Sequence, residues 1–154
     1  MRFEIPAPLI VEHHRLHVQL VKATKEPGAV GEAAREVARL LHPHFVREEQ
    51  FALPPLALLQ ELAHDGVRAE MAEVLPMTRR LKAELATMLV EHQRIVGALD
   101  KLRSAAHAAR LPEYESFAKE LILHAQTEEL VLYPAAILVG EFVAERLKEL
   151  AEIR

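Results

Sequence analysis

The chain has 154 residues, just over half of them apolar, enough to fold as one domain around a dry core. Its 19 basic and 23 acidic side chains leave a formal charge of -4, which argues against a general nucleic-acid binder. There is no cysteine, so disulfides, thiolate-held metals, iron–sulfur clusters and thiol catalysis are excluded; any metal must use nitrogen and oxygen, and there are nine histidines.

The opening residues MRFEIPAPLIVEHHR contain no apolar stretch of signal-peptide length, and no window reaches the roughly 18 apolar residues of a membrane span. The expectation is a cytoplasmic protein without a membrane partner. Abundant Ala, Leu and Glu with almost no strict alternation predicts an all-α chain. A first helix is predicted over 8–24, ended by Glu26-Pro27-Gly28, and a second over 29–52, kinked at Pro43 and stopped by Pro54-Pro55. Two short helical pieces are predicted in 55–76, broken at His64-Asp65-Gly66 and again at Pro76. A third helix spans 77–109, and a fourth starts near Pro112 and kinks or stops at Pro134. An amphipathic segment over 135–153, carrying Phe142, Leu147 and Leu150, is expected to form an extra C-terminal helix and to suit a homodimer contact.

Each main helix carries an apolar stripe at alternating spacings of three and four, the pattern of helices packed at about 20° in a bundle. The stripes are Leu9, His13, Leu16, Leu20, Ala23; then Val30, Ala34, Val37, Leu41, His44, Glu48, Phe51; then Leu81, Leu85, Met88, His92, Ile95, Leu99, Leu102; then Tyr114, Phe117, Leu121, His124, Glu128, Val131. Histidine interrupts all of them and glutamate two. One such histidine is ordinarily a neutral core residue. Four with two glutamates in one core would cost several kcal/mol each unless something compensates them, and a cation does so directly.

The spacing makes these six converge. Residues equidistant from a tight turn sit at one height in a hairpin: His13 and His44 centre beside Pro27-Gly28, and His92 and His124 centre on Ala108, near Pro112. His44 with Glu48, and His124 with Glu128, at i and i+4, lie about 6 Å apart on one helix face. The arrangement occurs twice. Residues 11–20 match 90–99 at five of ten positions, and Leu41 to Pro54 matches Leu121 to Pro134 at Leu, His, Glu, Glu and Pro, with offsets of 79 and 80. The whole chain, 1–154, reads as one domain containing a duplication of about 9–54 and 88–134 related by a pseudo-twofold axis.

Four imidazoles and two carboxylates divide into two sets of two nitrogens and one oxygen donor, the facial set typical of non-haem Fe(II) with open positions. In a two-metal site the ions sit about 3.5 to 4 Å apart, so both glutamates could bridge them. The lone His13 and His92, with His44-x-x-x-Glu48 and His124-x-x-x-Glu128 in that order, resemble the hemerythrin-like HHE cation-binding family over about residues 9–134. The resemblance implies an antiparallel up-down four-helix bundle with a non-haem di-iron centre, other divalent metals also suiting the donors. It further implies a protein that binds or senses oxygen or nitric oxide, or handles iron. Oxygen-carrying hemerythrins differ in placing two ligating histidines on the third helix and an aspartate five after the fourth helix's histidine; here those places hold Met88 and the i+4 Glu128. The competing readings are a di-iron oxidoreductase acting on oxygen or peroxide, and a structural bundle holding zinc or no metal.

The remaining residues are assigned by helical angle. His17, one turn after His13 and equivalent to Val96, is expected to face inward, as a fifth imidazole or a core residue beside the ligands. His14 and His42 point away from the stripe, His64 lies in a turn, and His107 is some 22 Å along its helix from His92. Glu12, Glu49, Glu91 and Glu129 adjoin ligands and are read as solvent-facing, with support of a ligating imidazole left open. Tyr133 falls off the ligand face at α-helical spacing.

Overall fold

In the computed structural model, residues 2–153 are described, and every regular element among them is helical. Helix α1 spans Ala7–Thr24 and opens behind Pro6, with Pro8 in its first turn, where a missing N–H costs nothing. Gly28, at φ +69, makes the turn into α2, Gly28–Arg47, which runs on as one helix through Pro43. A π-helical turn over Glu48–Ala52 and a 3-10 turn over Pro54–Leu58 lead into α3, Leu59–His64. After a 3-10 stretch, Ala69–Val74, the long α4 spans Leu75–Ala108; Pro76 therefore begins a helix rather than breaking one. Arg110 takes the left-handed conformation at φ 56, with the Leu111 N–H returning to the Ala106 carbonyl at 2.9 Å, which closes α4 without a glycine. Helix α5 is Pro112–Thr127, followed by a second π-helical turn, Glu128–Leu132, and by α6, Tyr133–Glu152. The expected stop at Pro134 is absent, because that proline sits in the first turn of α6.

Helices α1, α2, α4 and α5 form a four-helix bundle in which α1 packs on α2, α2 on α4, α4 on α5 and α5 on α1, while α6 lies along α4. The stripes line its interior. Leu16, Leu20, Val37, Leu41, Leu99, Leu102, Phe117 and Leu121 belong to one apolar cluster towards the two turns at 25–27 and 109–111. Phe51, Leu53, Leu81, Met88, Tyr133 and Ala136 belong to a second on the other side, against which Leu9 and Leu85 pack half-buried. Truncating one such buried leucine costs about 2–5 kcal/mol, so these clusters offset the burial of the polar layer between them. Val131 departs from its predicted stripe and is 55% exposed.

Helix α6 closes one flank. Its Gly140 lies so near Thr78 that a β-carbon would sit 2.1 Å from the threonine hydroxyl, so only glycine allows α6 to approach α4 this closely. Val139 and Val143 pack with Leu58, Met71 and Val74, and Leu147 is partly buried there, while Leu138, Phe142 and Leu150 remain exposed. No helix among the described residues is long and apolar enough to cross a membrane.

Candidate metal centre

All six stripe-breaking residues meet in the layer between the two apolar clusters. His13, His44, Glu48, His92, His124 and Glu128 are each no more than 5% exposed. Their donor atoms fall into two overlapping groups: His44, Glu48, His92 and Glu128 in one, and His13, His124 and Glu128 in the other, with atoms inside each group all within 4.8 Å of one another. The histidines therefore pair across helices, α2 with α4 and α1 with α5.

The carboxylates span both groups. Glu128 places Oε1 2.7 Å from His124 Nε2 and 3.4 Å from His13 Nε2, and Oε2 3.2 Å from His92 Nε2. Glu48 places Oε1 3.2 Å from His44 Nε2 and Oε2 3.7 Å from His13 Nε2. One oxygen of each glutamate faces each histidine pair, the disposition of a bridging carboxylate.

The outer face of each imidazole is held by an acidic residue from a neighbouring helix. His44 Nδ1 lies 2.7 Å from Glu91, His92 Nδ1 2.9 Å from Glu129, His13 Nδ1 3.2 Å from Glu49, and His124 Nδ1 3.3 Å from Glu12. These are the four acidic neighbours of the ligands, and the repeat relates them in pairs. A carboxylate at Nδ1 accepts the ring proton there and leaves the Nε2 lone pair directed inwards, the tautomer a metal requires. Phe45 fixes His13 further by stacking at 4.0 Å between centroids, with the rings 4° from parallel.

Within the layer the imidazoles and carboxylates set one another's charge. Burial opposes charge on His44 and His124, yet Glu48 and Glu128 respectively outweigh it and push each imidazole up to about 9. Burial likewise opposes the Glu128 carboxylate, but His124, His13 and His92 hold it well below the usual range. Glu48 is pushed up, by burial first and by the Glu128 carboxylate second. His44 Nε2 and His92 Nε2 stand 2.8 Å apart, a separation that two lone pairs tolerate only with a proton or a cation between them. Glu48 Oε2 and His124 Nε2 are buried without a hydrogen bond, although His124 Nε2 is in contact with Glu128. An orphaned carboxylate oxygen of Glu48 facing the interior, among imidazoles and a second carboxylate, fits a metal ion.

Three residues fall elsewhere than the spacing predicts. His17 is exposed: on α1 it points outwards, where with Ile10, His14, His42, Phe45 and Glu49 it lines a surface cavity of about 260 Å³ that reaches His13. It belongs to neither buried group, because the packing of α1 buries the flank bearing Leu16 and Leu20 instead. Tyr133 moves the other way. It is fully buried, its hydroxyl donates to Glu48 Oε1, and the hydroxyl oxygen lies 3.3 Å from His44 Nε2 and 3.2 Å from His92 Nε2. At about 100° per residue, Tyr133 would sit roughly 140° around the helix from Glu128. The π turn replaces that register with an i to i+5 bond, from the Tyr133 N–H to the Glu128 carbonyl, and so returns position 133 to the ligand face while Val131 turns out. The doubled Glu-Glu followed by proline is the signal available in the sequence, since the same turn occurs after Glu48, closed by the Leu53 N–H on the Glu48 carbonyl at 2.9 Å.

Compared with known proteins, the chain matches no family model, no curated protein and no solved structure. The fold and site thus define an all-helical protein with a buried histidine–glutamate centre able to hold metal.

Proposed function

We propose that this chain is a non-haem di-iron protein of the hemerythrin-like HHE kind, which binds oxygen or nitric oxide, or handles iron. The observation that carries the reading is the sharing of Glu128 between two histidine pairs, with Glu48 spanning them in the same sense. An antiparallel up-down order of the four helices agrees with the contacts between their ends: Lys22 with Glu113, Arg15 with Glu120 and Glu12 with His124 join α1 to α5 in opposed directions. The donor set is nitrogen-rich, and two carboxylates divided between two ions leave open coordination positions. Iron bound there would supply a coordination position for a small diatomic ligand. The protein supplies a buried layer, inward-facing Nε2 atoms and a surface cavity that His13 helps to line.

Metal analysis of anaerobically purified protein, with visible spectra before and after air or nitric oxide, tests this. About two irons per chain are expected from a two-metal donor set, with a spectrum that changes on exposure. A metal-free protein whose stability is indifferent to added iron, and equally to His44→Ala and Glu128→Ala, would sink the reading.

A further inference from the structure

Resting on that reading, we infer that Tyr133 is itself a ligand, a phenolate donor to the ion held by His44, His92, Glu48 and Glu128. Its hydroxyl oxygen touches the Nε2 atoms of both histidines of that group and is hydrogen-bonded to Glu48 Oε1. Every polar contact of the hydroxyl is thus a metal-ligand atom. A cation that claims those three lone pairs would face a buried O–H with no water to turn to, since the side chain is fully buried and its ring stacks on His92 at 5.6 Å. Losing the proton satisfies both sides: the O–H bond breaks as the metal–oxygen bond forms, the proton leaves first to Glu48 Oε1, which already accepts it, and then to the medium, and no electron is transferred.

The position is also one the backbone makes specially. Only the π turn brings residue 133 onto the ligand face, and π turns inside helices recur at functional sites. The repeat equivalent, Leu53, closes the same turn after Glu48 but offers no oxygen. The phenol therefore serves one ion. The ion at His13 and His124 has no phenol beside it and lies on the side of the cavity that His13 lines.

The test uses the whole chain loaded with Fe(II) and then oxidised in air. Wild type is expected to show phenolate-to-Fe(III) charge-transfer absorption with resonance-enhanced tyrosinate ring vibrations. Tyr133→Phe should lose both completely and hold one of its two irons more weakly against a chelator, by more than loss of a carboxylate behind an imidazole does. The chain has two tyrosines, and the other, Tyr114, donates to Glu26 at 2.7 Å, so Tyr114→Phe should leave the signature intact. Iron bound to wild type without a tyrosinate signature overturns the assignment and leaves the di-iron reading standing. Failure of wild type to bind iron removes both. Because the wild-type spectrum alone decides, the outcome does not depend on how well Tyr133→Phe folds.

Discussion

The two halves of the chain, 9–54 and 88–134, repeat their ligand spacing almost residue for residue and differ in the path the backbone takes beyond it. Each gives a lone histidine, a His-x-x-x-Glu-Glu run and a π turn. After the first turn the chain enters Pro54-Pro55 and folds back through short helices, so that Phe51 and Leu53 become core. After the second it continues as α6 along α4, so that Val131 is left exposed and Tyr133 is driven into the histidine–glutamate layer. A repeated spacing can thus keep the same donor types in both halves while leaving the surroundings of each free to diverge. The spacing of ligands is set within each helix; their inequivalence is set by where the chain goes next.

The largest effect should come from the residue the halves share. Glu128→Ala removes a donor from both groups, so the stability gained on adding metal should vanish; that gain is about 4 kcal/mol for an ion at a thousand times its dissociation constant. Thermal unfolding with and without iron measures it. A retained gain would mean that Glu128 does not bridge.

Splitting the halves comes next. His13→Ala should leave one ion in the His44–His92 group, and His44→Ala should leave one in the His13–His124 group, each halving the metal content read by elemental analysis. Loss of both ions in either variant would show that the groups are one cooperative site.

The carboxylates behind the imidazoles should matter less, and unequally. Glu91→Gln, which weakens a 2.7 Å contact, should cost metal affinity about ten- to a hundredfold, and Glu12→Gln, at 3.3 Å, should fall at the lower end. Competition against a chelator ranks them.

Proton linkage gives a smaller and opposed pair of trends. In metal-free protein His44 and His124 are raised from 6.5 to about 9, so the stability they contribute is fully present below pH 6.5 and lost as pH rises through about 9. Metal binding needs the neutral imidazoles, so affinity should rise over that same interval. Denaturant unfolding of apoprotein and metal titrations, both from about pH 6 to 9, should therefore slope in opposite directions. The smallest effect is expected at exposed His17, where His17→Ala should leave the metal content unchanged and alter stability by less than about 0.5 kcal/mol.

Most of this site is legible without coordinates because it is a property of helical periodicity. Stripes at three and four, with His13, His44, Glu48, His92, His124 and Glu128 in them, require only that the helices form and that their apolar faces meet, and all six are buried. His17 escapes that logic because its repeat equivalent points it inward, whereas the packing of α1 decides which flank is covered. Tyr133 escapes it because one π turn changes the angular register by more than any propensity scale resolves.

By itself the sequence determined an all-helical chain, the repeated His and Glu spacing and the six buried donors, since these depend on spacing within single helices. Tertiary structure alone decided which histidines pair, that the part-exposed Glu12, Glu49, Glu91 and Glu129 reach the outer Nδ1 atoms, and that a phenol stands beside one pair only. Those relations join side chains of different helices through an i to i+5 turn and the packing of four rods, and no periodicity along one stretch of sequence encodes them.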